Sequence, residues 1–166
     1  MIIIVLGLPG SGKSYFAERL AKMLHADYTN SDRVRKELFP KRTYSDQEKA
    51  VVYDAMRKKM EDSIALERNV ILDATFHKKS TRELLVRNTK EHIRFIEVWA
   101  DEPIIKERLK RSRRYSDADY EIHQLIKKEW EPLEEDHLRL QSTNDNIYDM
   151  LQRAMKYLKD DKRGNR

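Results

Sequence analysis

The residues best suited to chemistry lie near the amino terminus. In Gly7-Leu8-Pro9-Gly10-Ser11-Gly12-Lys13-Ser14, three of the chain's four glycines fall within six positions, directly after the apolar run Ile2-Ile3-Ile4-Val5-Leu6. Glycine lets consecutive backbone N–H groups converge on one anion and tolerates the positive φ that such a nest needs. The spacing is G-x-x-x-x-G-K-[ST], the Walker A P-loop, which requires a buried strand before it and a helix after it. Gly7, Pro9, Gly10, Ser11 and Gly12, with Lys13, Ser14 and Tyr15, are therefore read as a phosphate and nucleotide site. The helix N-terminus adds free donors and partial positive charge. Lys13 would carry a mobile charge to a transferring phosphoryl group, a catalytic role, and the Ser14 hydroxyl is a hard oxygen suited to Mg²⁺. The competing reading is an ordinary glycine-rich turn between a strand and a helix.

In a parallel α/β sheet, ligands sit at the carboxyl ends of the strands, which singles out two further places. Asn30-Ser31-Asp32-Arg33-Val34-Arg35 follows a short strand pattern. Asp32 could accept the proton of an attacking hydroxyl, and Arg35, one helical turn later, could hold an acceptor's phosphate. The alternative is that Ser31 or Asp32 caps a helix while Arg35 is solvated. Asp73 ends the run Val70-Ile71-Leu72, where a carboxylate can hold Mg²⁺ directly or through water, and Thr75 is a candidate acceptor contact. For Asp73 the alternative is a helix cap or an ion-pair partner.

A third cluster, Lys106 to Arg114, places six basic residues in nine positions. Ile105 and Leu109 form an inward edge, so the basic side chains point outward or over a site. Arg108 and Arg111 are read as catalytic and Arg114 as nucleotide-binding, a lid neutralising charge that develops on the phosphates. A solvated basic face is the alternative.

The elements that must position these groups alternate between short β runs and charged helical stretches, the pattern of an α/β protein with a parallel sheet. Strands are predicted over 2–6, 27–29, 69–73, 93–99 and 137–141. Helices are predicted over 13–24, 32–39, 46–68, 81–90, 103–114, 118–130 and 146–159. Ser45 with Glu48, Ser80 with Glu83 and Ser116 with Asp119 read as N-cap pairs, and Pro103 suits a first helical turn. The chain has 166 residues, 34 basic against 29 acidic, a net charge of +5 and no cysteine. That size predicts one domain over 1–158 with a charged tail over 159–166. The charge is compatible with a polyanionic partner, and the cysteine-free chain has no disulfide or thiolate zinc site. With no apolar run long enough to span a bilayer, a soluble cytoplasmic protein without membrane contact is expected.

These residues resemble P-loop kinases of the polynucleotide 5′-hydroxyl kinase and zeta-toxin type, an AAA_33-like ATP-binding group. The resemblance is carried by Gly7 to Ser14, by Asp32-x-x-Arg35, by Ile71-Leu72-Asp73-Ala74-Thr75, and by Glu107-Arg108-Leu109 through Asp119 with Glu131-Pro132-Leu133. It implies a three-layer α/β/α sandwich with a five-stranded parallel sheet in the order 2-3-1-4-5 and a helical arginine lid. It also implies Mg²⁺ and ATP as cofactors and a hydroxyl acceptor, first a nucleic-acid 5′ end, otherwise a small molecule, a phosphorylated one included, or a tRNA. An ATP-hydrolysing switch module is the alternative from a different class.

Overall fold

The computed structural model describes residues 1–111 and 119–160. Along these the chain forms β1 (Ile2–Leu6), α1 (Lys13–Leu24), β2 (Asp27–Asn30), α2 (Ser31–Leu38), α3 (Asp46–Ala65) and β3 (Val70–Asp73). It continues through α4 (Lys79–Val86), β4 (Ile93–Trp99), α5 (Glu102–Lys110), α6 (Tyr120–Lys128), β5 (His137–Gln141) and α7 (Ile147–Asp160). The five strands are all parallel, in the order β2-β3-β1-β4-β5. β1 lies at the centre and is buried throughout, so it reads as an unbroken apolar run rather than an alternating one.

Successive side chains of β1 point to opposite faces and divide the core in two. Ile3 and Val5 join Phe16 and Leu20 of α1 and Met150 and Ala154 of α7. Ile2, Ile4 and Leu6 join Val34 of α2, Val52 and Met56 of α3, and Leu85 of α4. The result is the three-layer α/β/α sandwich expected. Register then positions the site: Val5 is paired with Asp73 and Asn30 with Asp73. The last residue of β3 thus arrives beside the strand that feeds the P-loop, with the last residue of β2 next to it on the far side.

Element boundaries differ from expectation where long-range contacts decide them. α4 begins at Lys79 rather than Thr81, so Ser80 lies inside the helix and caps nothing. Its cap comes from far away in sequence: the Lys79 N–H donates to Glu131 Oε2 at 2.5 Å across 52 residues. α4 also stops at Val86, four residues early, and Asn88 turns the chain with φ 67°. α3 ends at Ala65, where Glu67 takes φ 56° and the Arg68 N–H returns to Ser63 O at 2.9 Å. α2 is capped by Asn30, one residue before Ser31 and two before Asp32, the two expected caps. Ser45 does cap α3, accepting from the Glu48 N–H at 3.1 Å. Asp119 is itself the cap of α6, accepting from the Ile122 N–H at 2.9 Å, while Ser116 lies outside the described residues. α5 ends at Lys110, where Arg111 leaves the helix in an extended conformation, four residues short of the expected end; residues 112–114 lie outside the described residues, as do 161–166 of the tail.

Candidate active site

The P-loop runs from the end of β1 to the first residue of α1, as its pattern requires. Gly12 has φ +88°, and a Cβ there would meet Ser142 Oγ at 2.6 Å and Arg108 Nη1 at 3.0 Å. At Gly7 a Cβ would lie 2.2 Å from the Val98 carbonyl oxygen. The loop is therefore clamped from behind by β4 and from the side by α5 and the segment after β5, so its amides are held in place before any anion arrives. Gly12→Ala is expected to lower folding stability by about 1–3 kcal/mol, the cost of a side chain in this backbone region. Nucleotide affinity should fall about tenfold or more with it. Denaturant unfolding and calorimetry check this, and wild-type values for both would show that the loop does not need its left-handed turn.

A cleft of about 540 Å³ opens between the P-loop, α5 and the start of α7, with Lys13, Ser14, Tyr15, Arg108, Asn144 and Met150 among its walls. That volume is in the range of small-molecule sites. Tyr15 is 55% exposed at the rim, with the Arg19 guanidinium 3.3 Å from its ring centroid. Arg108 reaches across the cleft, donating to Gly10 O at 3.3 Å and Thr143 O at 2.8 Å. Arg111 also borders the cleft, but its guanidinium is turned to Glu107 Oε1 at 2.5 Å on its own helix. Arg114 lies outside the described residues.

Behind the P-loop lies a residue that no sequence pattern singles out. His123 of α6 is 1% exposed, and its Nδ1 sits 2.8 Å from Pro9 O. A carbonyl only accepts, so Nδ1 carries the proton. Burial pushes the imidazole below its ordinary pKa, with the nearby Lys127 and Lys13 charges adding to the effect. No spacing signal connects position 123 to position 9.

On the other side of the loop, Asp73 is fully buried. Its Oδ2 accepts from the Tyr28 hydroxyl and from Asn30 Nδ2, each at 2.7 Å. Burial, followed by the Asp73 charge, pushes the Tyr28 phenol far above its usual range, so it stays protonated as a donor. Asp73 Oδ1 has no hydrogen-bond partner among the described residues. Asn30 Nδ2 also lies 3.4 Å from Ser14 Oγ, which ties the serine and the carboxylate together. A buried carboxylate oxygen left without a donor, beside a P-loop hydroxyl, is a donor set of hard oxygens that fits Mg²⁺.

Asp32 stands in the first turn of α2 with its Oδ1 3.0 Å from Arg35 Nη1, and its side chain is 30% exposed. Arg35 is buried, and its Nε lies 3.1 Å from Glu48 Oε1. Glu48 in turn accepts from the Thr43 N–H at 2.6 Å and from the Thr43 hydroxyl at 2.9 Å. Burial works to raise the Glu48 pKa, but the Thr43 and Tyr44 donors and the Arg35 charge outweigh it and hold the carboxyl below its usual value. The Arg35 guanidinium is thus shared between two carboxylates, a tie between α2 and α3 that the sequence spacing did not reveal. Thr75 is half-buried, two residues beyond Asp73.

The sheet order, the glycine nest at the end of the central strand and the acidic end of its neighbour define the P-loop kinase fold. Residues 2–133 match the AAA_33 family, described as an AAA domain, and the chain belongs to that family. No curated protein sequence matches it significantly. Among solved structures it is similar to an unliganded sugar kinase from Janibacter sp. HTCC2649, with TM-score 0.74, 18% identity, and coverage of 95% of this chain and 94% of that one. It is also similar to Chaetomium thermophilum Kti12 in complex with ADP-AlF3, with TM-score 0.71, 18% identity, and coverage of 96% and 98%. The Mycobacterium tuberculosis APS kinase CysC in complex with AMPPNP and APS gives TM-score 0.70, 15% identity, and coverage of 95% and 96%. At these identities the likeness is one of fold.

Proposed function

We propose that this protein is an ATP-dependent phosphotransferase, moving the γ-phosphoryl group of Mg-ATP to an acceptor hydroxyl. The observation that carries the reading is the buried Oδ1 of Asp73, which has no hydrogen-bond partner among the described residues and belongs to a carboxylate joined to Ser14 through the Asn30 amide. The P-loop amides hold the phosphates and Lys13 places its charge on the phosphoryl group in transit. Ser14 and Asp73 are the residues that would hold Mg²⁺, which when bound offsets charge on the phosphate oxygens. Asp32 Oδ accepts the proton of the attacking hydroxyl. An ordinary carboxylate suffices, because in a loose transition state the nucleophile keeps its proton until late. Arg108 adds positive charge from the cleft wall, and with Arg111 at the rim it forms the described part of a basic lid over the phosphates. Thr75 contacts the acceptor.

Two acceptor classes have support. The resemblance of Asp32-x-x-Arg35 and the net charge of +5 favour a nucleic-acid 5′ hydroxyl. The commitment of Arg35 to Asp32 and Glu48 favours a small polyol, since the guanidinium is already neutralised before a phosphate could reach it. The test incubates the protein with γ-labelled ATP, Mg²⁺ and a panel of 5′-hydroxyl DNA and RNA, tRNA, nucleosides and sugars. Label on one acceptor class is the expected result. Label on none, with brisk release of free phosphate, would replace the transferase by an ATP-hydrolysing switch.

A further inference from the structure

The geometry points to Asn30 as the positioning residue that builds the metal site and the base helix from one side chain. Asn30 is 6% exposed at the junction of β2 and α2. Its Oδ1 accepts from the Arg33 N–H at 3.0 Å, capping the helix that carries Asp32 and Arg35. Its Nδ2 donates to Asp73 Oδ2 at 2.7 Å and lies 3.4 Å from Ser14 Oγ. The orientation of the amide follows from its neighbours rather than from a choice: a backbone N–H only donates and an ionised carboxylate only accepts, so O must face Arg33 and N must face Asp73.

Three consequences follow from that placement. Both donors to Asp73, the Asn30 amide and the Tyr28 hydroxyl, land on the same oxygen, Oδ2. Oδ1 is left without a hydrogen-bond partner among the described residues, as a cation ligand requires. The donor end also draws the Ser14 hydroxyl and the carboxylate to a common point, so the two oxygens proposed to hold Mg²⁺ are spaced by a third residue. An aspartate at position 30 would cap α2 equally well, but would set a carboxylate against Asp73. The cap alone therefore does not explain the amide; the donor to Asp73 does. Groups that orient metal ligands in this way are typically worth about 10–100-fold in metal affinity.

The role rests on the proposed Mg-nucleotide site, but its test does not depend on phosphoryl transfer. Serine is as good a cap as asparagine, yet its short hydroxyl cannot cap Arg33 N–H and span to Asp73 and Ser14 together. Asn30→Ser should keep ADP affinity in EDTA within about twofold while raising the Mg²⁺ concentration for half-maximal metal-enhanced ADP binding about tenfold, read by calorimetry. Tyr28→Phe, which removes the other donor with little change in shape, should move the same value in the same direction. In an Asp73→Asn background, Asn30→Ser should change the Mg²⁺ dependence no further. Asn30→Ala, which loses the cap as well, should also lower kcat at saturating Mg²⁺, where Asn30→Ser recovers.

An Asn30→Ser protein with wild-type Mg²⁺ dependence, or with equal loss of ADP affinity with and without Mg²⁺, would overturn the metal arm. So would an Asn30→Ser effect that persists undiminished in the Asp73→Asn background. Full kcat in Asn30→Ala at saturating Mg²⁺ would overturn the helix arm. Intact metal-dependent ADP binding by a protein that labels no acceptor would instead overturn only the transferase reading and leave the role of Asn30 standing.

Discussion

Lys13→Ala is expected to lower kcat/KM for phosphoryl transfer by about 10³-fold, equivalent to about 4 kcal/mol of transition-state stabilisation. The structure explains why so much rests on one side chain. Lys13 opens α1 directly after the left-handed Gly12 and stands in the wall of the nucleotide cleft. Charge accumulates on the phosphate oxygens as the terminal bond breaks, and an ammonium group already aimed at them offsets it without the reorganisation that water taking its place would need. Much of the effect should appear in kcat, because the interaction strengthens as the bond breaks, while nucleotide affinity falls less. Folding stability should change little, since the side chain belongs to a solvent-filled cleft and not to either core. Steady-state kinetics and calorimetry with Mg-ATP check this. A variant turning over at the wild-type rate would remove the P-loop lysine from the chemistry, and with it the reading of the loop as a phosphoryl-transfer site.

Asp32→Asn should reduce transfer by about 10²–10⁴-fold, the range for loss of a positioned general base, while leaving Mg-ATP affinity within about twofold. The ion pair with Arg35 makes a control necessary, because the substitution also loosens that arginine. Glu48→Gln loosens Arg35 from its other partner without touching Asp32. It should lower stability, since Glu48 also fastens the Thr43 turn, and should leave most of kcat in place. If Asp32 were only an anchor for Arg35, the two variants would have the same kinetic profile. Unchanged turnover in Asp32→Asn would assign the proton to another group altogether.

How much of this was legible depended on how far apart the interacting residues are in sequence. The P-loop was fully visible, because a nest of consecutive amides is a local object whose glycines and lysine must be neighbours. β1, α1, β4 and β5 were found at their observed ends, since buried strands and an amphipathic helix announce themselves by period and length. Asp73 is singled out by terminating an apolar run, the place in a parallel sheet where a ligand-facing carboxylate or a helix cap is expected. α4 was displaced because its cap is Glu131, a carboxylate from the far side of α6 that competes successfully with the nearby Ser80. Arg82 gave no warning of its role either. It is 1% exposed and donates to Phe76 O at 2.9 Å and Pro132 O at 3.1 Å, pinning the loop after β3 to the chain beyond α6.

The amino-acid sequence by itself determined that a glycine nest would follow the first strand, that one carboxylate, Asp73, would end an apolar strand run, and that another, Asp32, would stand at the start of the helix after a short strand. Only the tertiary structure decided which oxygen of Asp73 stays bare, that Arg35 is spent between Asp32 and Glu48, and that His123 braces Pro9 from behind. The physical reason is one of range. Backbone torsions and side-chain periodicity act over a few residues and can be read along the chain, whereas the hydrogen bonds joining Tyr28, Asn30 and Asp73 exist only once β2 and β3 have paired in register.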